Sequence, residues 1–130
     1  MPHLILEYSD NLQPDLPQIF SDLHDAMVAT GAVNRKGLKS RASKQSDYYI
    51  GDGHPDYKFV HLTISLREGR SIEVQQEIAQ QTMSVLEEHF ATHRANGYIS
   101  ISNDIQQLLH GTALSNHNIP AAGHPDWQPR

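Results

Sequence analysis

Proline at position 2 is the residue in this sequence best suited to act as a general base. Initiator methionine is normally removed before small residues such as proline, which would leave Pro2 as a secondary amine at the start of the chain. A terminal amino group titrates near neutrality, about 7.7 to 8.0, and burial or nearby positive charge lowers that value. We therefore expect a neutral amine that accepts protons at physiological pH. Many chains begin Met-Pro without consequence, and with Met1 retained the Pro2 nitrogen would be a non-basic amide.

A base of this kind needs positive groups nearby, because removing a proton beside a carbonyl produces an anion that must be stabilised. Lys39 and Arg41 fall on one face of a predicted strand. Arg70 comes just before a predicted helix, where backbone N–H groups also favour anions. His3, next to the base, is a residue that would tune it. The alternative is that the three cations are solvated surface charges and that His3 is simply packed in its strand.

A metal site is the less favoured interpretation of the nine histidines. His89 and His93 are four residues apart on a predicted helix, but no H-E-x-x-H motif accompanies them. The chain also has no cysteine, which excludes disulfides, thiolate ligands and a cysteine nucleophile. We therefore predict no metal site.

Composition narrows the possible partners. Lys and Arg total 10 against 15 Asp and Glu, giving a formal charge of -5, so the electrostatic attraction that dominates nucleic-acid binding is missing. The first residues have no basic segment and only three consecutive aliphatics, and no later apolar run is long enough to span a membrane. We expect a cytoplasmic protein with one domain over residues 1–130 that binds neither nucleic acid nor membrane.

Hydrophobic patterning predicts six elements of secondary structure. In chain order they are a strand at 2–8, a helix from 16 to about 31, strands at 37–44 and 57–66, a helix at 72–90 and a strand at 97–102. Asp15 and Ser71 are the predicted N-caps of the two helices. Residues 110–130, rich in proline, glycine and polar residues, predict an irregular C-terminal arm.

The order of these elements predicts an α+β fold made of two βαβ units. Right-handed crossovers would place both helices on one face of a four-stranded mixed sheet. The opposite face of the sheet would then be exposed in a single chain, and we expect other subunits to pack against it.

Together these features resemble the tautomerase superfamily, and within it the 5-carboxymethyl-2-hydroxymuconate Δ-isomerases. The resemblance covers most of the chain up to about Phe90 and, beyond Gly97, extends only to a strand. It is carried by the following segments: Pro2-His3-Leu4-Ile5-Leu6-Glu7, Ser9-Asp10-Asn11, Ala29-Thr30-Gly31, Gly37-Leu38-Lys39-Ser40-Arg41, Asp52-Gly53, Asp56-Tyr57, Phe59-Val60-His61-Leu62-Thr63 and Gly69-Arg70-Ser71.

The resemblance implies a homotrimer whose sheets face an inner barrel, and an isomerase or tautomerase of aromatic-compound catabolism. Pro2 would move a proton within a 2-hydroxymuconate-type di- or tricarboxylate without a cofactor. Arg41 and Arg70 match basic residues of the family motifs, whereas Lys39 stands where the family has arginine. Lysine keeps the charge but lacks the bidentate fork for a carboxylate, which leaves the substrate less certain than the reaction.

Two alternatives remain at the level of sequence. One keeps the fold and the base but changes the substrate, to another 2-hydroxydienoate or to a keto-enol pair resembling phenylpyruvate. The other is a ferredoxin-like oligomeric binding module that retains Met1 and uses its basic residues to bind an anion or a partner. The mass of the intact chain separates the second alternative from the catalytic interpretations, because only they require loss of one methionine.

Overall fold

The four strands and two long helices follow one another along the chain in the order that the hydrophobic pattern predicts. The structure is a computed structural model that describes residues 2–127. Its elements are strands β1 (His3–Ser9), β2 (Lys39–Gln45), β3 (Lys58–Arg67) and β4 (Ile99–Leu108), and helices α1 (Leu16–Ala29), α2 (Ile72–His89) and α3 (Ala91–Asn96). Within the described chain, no helix combines the length and apolar character needed to cross a membrane.

The two long helices begin at the predicted caps. The Asp15 carboxylate accepts a hydrogen bond from the backbone N–H of Gln18 at 3.3 Å, and the Ser71 hydroxyl accepts one from Val74 at 3.2 Å. Both bonds satisfy N–H groups that a helix cannot pair internally. Gly31, just beyond α1, has a φ of +76°, which turns the chain away from the helix.

The sheet has the strand order β2-β1-β3-β4 and is mixed. β1 is parallel to β2, β3 is parallel to β4, and the central pair β1 and β3 is antiparallel. Each helix therefore connects two parallel strands, which confirms the predicted pair of βαβ units. Alternate strand residues such as Leu6 and Leu62 join Leu23 and Leu86 of the two helices in one buried core. Both helices thus lie on the same sheet face, and the opposite face carries the polar residues of the alternation.

The last strand is longer than predicted. β4 continues six residues past Ser102 because it pairs one-to-one with β3, from Lys58–Ile99 to Arg67–Leu108. Its second half is mostly polar, so its sequence does not look like a strand. The short helix α3 was also not predicted, and β3 begins and ends one residue later than expected.

The predicted arm contains no helix or strand over residues 110–127; residues 128–130 lie outside the described part of the chain.

His24 links α1 to β2 and should make the fold sensitive to pH. Its Nε2 lies 2.7 Å from the Ser40 hydroxyl. Burial, followed by the positive charge of Arg35, holds the pKa of His24 below its ordinary value of 6.5. Below that value the unfolded chain binds the proton more readily than the folded chain, so acidification favours unfolding.

We therefore expect His24→Gln to reduce the loss of stability between pH 7 and pH 5. Denaturant unfolding at several pH values measures this, with His124→Gln in the exposed arm as the matched control. An unchanged pH dependence in His24→Gln would contradict the assignment.

Candidate active site

Pro2 is buried at the entrance of β1 and lines a cavity of about 280 Å³. Its carbonyl accepts a hydrogen bond from the backbone N–H of Lys39 at 3.2 Å, which ties the start of β1 to β2. On the other side, the antiparallel register pairs His3 with Ser65. Leu66, the residue after Ser65, also lines the cavity. The predicted base therefore lies where the starts of β1 and β2 approach the end of β3.

The side chains with formal charge that line this cavity, among the described residues, are all basic: Lys36, Arg67 and Arg70. Asn34 and two residues of the arm, Ser115 and His117, add polar groups. A positive cavity of this kind favours the neutral form of an amine and attracts a carboxylate ligand.

Arg70 lies within this cavity and also braces it. Its Nε and Nη2 donate to the Ala32 carbonyl at 3.4 and 3.1 Å, and its Nη1 donates to the Arg67 carbonyl at 3.2 Å. The guanidinium thereby joins the loop after α1 to the end of β3. These contacts engage three of its five N–H groups, so two remain for a ligand.

The other predicted residues form a separate cluster on the open sheet face. Arg41 Nη1 lies 3.1 Å from His3 Nδ1, and Lys39 Nζ donates to the Gly37 carbonyl at 3.2 Å. Lys39 and Arg41 share a face opposite Ser40, as the alternation predicts. Burial, followed by nearby positive charge that includes Arg41 and Lys39, lowers the pKa of His3. None of these three side chains lines the Pro2 cavity in the described chain.

Sequence reasoning missed Lys36, Arg67 and the arm residues of the cavity. Arg67 carried a usable signal, because it stands three residues before Arg70 and ends the best-defined strand. Lys36 and the arm carried none. Lys36 lies in a single 3-10 turn, Arg35–Gly37, between α1 and β2, and the arm is irregular, so the positions of both depend on distant contacts.

Of the two histidines in the metal alternative, His89 bonds to another side chain, and the His93 ring packs beside Phe90 with centroids 6.2 Å apart. His89 Nε2 lies 2.6 Å from an Asp22 carboxylate oxygen and joins α2 to α1. On the open face, His61 Nδ1 lies 2.6 Å from the Ser102 hydroxyl, and its Nε2 lies 3.4 Å from Asp104. Within residues 2–127, no three His, Cys, Asp or Glu residues are grouped so that they could hold a metal ion.

Comparison with known proteins assigns the chain to a family. The family model described as 5-carboxymethyl-2-hydroxymuconate isomerase matches residues 2–122. The chain belongs to this family. A 5-carboxymethyl-2-hydroxymuconate Delta-isomerase of Escherichia coli is 31% identical over 123 residues, covering 93% of this chain and 98% of that protein. The predicted superfamily and the predicted class of enzyme, an isomerase, are thereby confirmed.

Solved structures give the same result for the fold. The crystal structure of a 5-carboxymethyl-2-hydroxymuconate isomerase from Deinococcus radiodurans R1 is 32% identical, with a TM-score of 0.85 and coverage of 90% of each chain. A structure named "Q0 fused 4-OT wild type symmetric trimer" is 12% identical, with a TM-score of 0.61 over 87% of this chain and 94% of that one, and shows the fold alone. The family match also passes through β4 into the arm, well beyond the limit near Phe90 that the sequence suggested.

Proposed function

We propose that this chain isomerises 5-carboxymethyl-2-hydroxymuconate by cofactor-free proton transfer, with Pro2 as the acid and base. The observation that carries the proposal is the placement of Pro2 in a cavity whose charged lining residues, in the described chain, are all cations. The substrate is that named for the E. coli relative and for the D. radiodurans structure.

The reaction needs only one group that accepts a proton and returns it. The neutral amine of Pro2 removes the proton of the substrate's 2-hydroxyl group, which leaves a dienolate. The resulting ammonium then donates a proton to a distal carbon, the double bonds shift, and a 2-oxo product forms. No electron is gained or lost overall, so no oxidant or reductant enters. The Arg70 side chain stabilises the charge that develops on the dienolate.

We propose a homotrimer as the working assembly. The sheet face opposite the helices is uncovered in the single chain and carries His3, Lys39 and Arg41. A trimer built around these faces would enclose them and bring the Arg41 and Lys39 side chains towards substrate carboxylates. The fold neighbour named a symmetric trimer supports this arrangement.

A substrate panel tests the proposed function. We expect the purified chain, shown by intact mass to lack Met1, to turn over 5-carboxymethyl-2-hydroxymuconate faster than 2-hydroxymuconate or phenylpyruvate. Ultraviolet absorbance follows the loss of the conjugated enol. Faster turnover of phenylpyruvate would identify a different keto-enol substrate. No turnover of any of the three would contradict the assignment and favour an anion-binding module.

A further inference from the structure

The C-terminal arm, residues 110–127, returns along the end of β3 to the Pro2 cavity. The backbone N–H of His110 donates to a Glu68 carboxylate oxygen at 2.9 Å, immediately after β4 ends. Five residues later, the Ser115 hydroxyl accepts a hydrogen bond from Arg67 Nη2 at 3.3 Å. Ser115 and His117 then form part of the cavity wall. The arm is therefore tied at two points to the strand end that carries Arg67.

Arg67 lines the same cavity as Pro2. It is the last residue of β3, two positions beyond Ser65, which pairs with His3. Its side chain is exposed and lines the cavity. Arg67 is thus both exposed to solvent and part of the cavity wall, where it can contact a ligand.

Arg67 also has more donors for a ligand than Arg70. Its hydrogen bond to Ser115 uses one of five N–H groups, whereas Arg70 contacts backbone carbonyls through all three of its nitrogens. A guanidinium that uses only one N–H group in the protein still has two parallel N–H groups that can donate to both oxygens of a carboxylate. The bond to Ser115 fixes the direction in which that pair points.

We propose that Arg67, positioned by Ser115 of the arm, binds a third carboxylate and makes this site selective for tricarboxylates over dicarboxylates. The proposal rests on the proposed function, since it concerns the ligand of the same cavity. In the proposed function, Arg70 stabilises the dienolate, and Arg41 and Lys39 approach two substrate carboxylates in the trimer. Arg67 then serves the third carboxylate that 5-carboxymethyl-2-hydroxymuconate carries. 2-Hydroxymuconate lacks only the carboxymethyl group, so comparing the two substrates measures the contribution of the contact between Arg67 and the third carboxylate.

The kinetic test compares these two substrates in Arg67→Gln. We expect the ratio of kcat/KM for 5-carboxymethyl-2-hydroxymuconate to that for 2-hydroxymuconate to fall about tenfold or more, the effect of one charge-assisted contact. In Ser115→Ala we expect a smaller fall in the ratio, through KM rather than kcat. The Arg67 charge remains, but the hydrogen bond that orients its guanidinium is lost. Arg94→Gln is the matched control, since Arg94 pairs with Glu87 away from the cavity. An unchanged ratio in Arg67→Gln overturns the proposal.

A binding test separates this proposal from the proposed chemistry. Isothermal titration uses tricarballylate, a tricarboxylate that cannot undergo the reaction, and glutarate as the dicarboxylate. We expect the wild-type chain to bind tricarballylate more tightly than glutarate. In Arg67→Gln, the affinity for tricarballylate should fall about tenfold and the affinity for glutarate should fall less. Equal binding of the two ligands by the wild type, or equal weakening in the variant, overturns the proposal. Because no turnover is needed, these results stand even if Pro2 proves not to be the base.

Discussion

Replacing Pro2 with alanine is expected to lower kcat about 10²-fold or more, within the range of about 10²–10⁴ for a lost general base. Alanine also allows removal of Met1, so the variant keeps a primary amine at the same position in sequence. It loses the ring that fixes φ and packs in the buried entrance of β1, and the amine is then no longer held against the substrate. Single-turnover absorbance measurements with 5-carboxymethyl-2-hydroxymuconate give the rate of the chemical step.

A second variant removes the basicity itself. One glycine inserted before Pro2 converts the Pro2 nitrogen into an amide and moves the free amine one residue away. We expect a larger loss than in Pro2→Ala, with secondary structure unchanged by circular dichroism. Pro17→Ala, in the exposed first turn of α1, is the matched control for loss of a proline. Undiminished turnover in the glycine-inserted chain would exclude Pro2 as the base.

Replacing Arg70 with glutamine is expected to lower kcat/KM about 10²–10³-fold, as for the loss of a donor that stabilises an oxyanion. The variant removes a positive charge from the Pro2 cavity. It also removes the guanidinium that holds the Ala32 and Arg67 carbonyls in place. Steady-state kinetics with thermal unfolding on the same samples separates lost chemistry from lost folding.

Arg70→Lys separates the contribution of the positive charge from that of the hydrogen bonds to the two backbone carbonyls. Lysine restores the charge but cannot reach the two carbonyls with a planar fork. If charge stabilisation is the main contribution, we expect Arg70→Lys to recover a large part of kcat while KM stays raised. Equal losses in the lysine and glutamine variants would show that Arg70 acts only as a brace. Activity of Arg70→Gln within about twofold of the Arg94→Gln control would contradict both roles.

The charged residues of β2 were predicted only in part. Alternation along β2 correctly placed Lys39 and Arg41 on one face, because side chains alternate in any strand. It did not reveal that this face is separate from the Pro2 cavity. Alternation assigns a side chain to one of the two faces of the sheet. Which side chains of other strands lie next to it on that face depends on how the strands are paired, and a single strand's sequence does not contain that information.

The length of β4 shows the same limit. Its second half is polar and has no strand signature, yet it remains extended because each residue pairs with one on β3. The stabilising hydrogen bonds come from a strand more than thirty residues earlier in the chain. Local propensity is a weak guide where the partner strand determines the structure.

By itself, the sequence determined the two βαβ units, the caps of both long helices and the family, because each follows from local spacing or from a motif. Pro2 as the base also came from the sequence and stays a proposal. Arg70 was expected near Pro2 from the sequence, but only the tertiary structure showed that, within residues 2–127, Lys36, Arg67 and Ser115 share its cavity and that Lys39 and Arg41 do not. The cavity forms where the end of β3, the loop after α1 and the returning arm meet. These segments are far apart in the chain, and no local pattern shows that they come together.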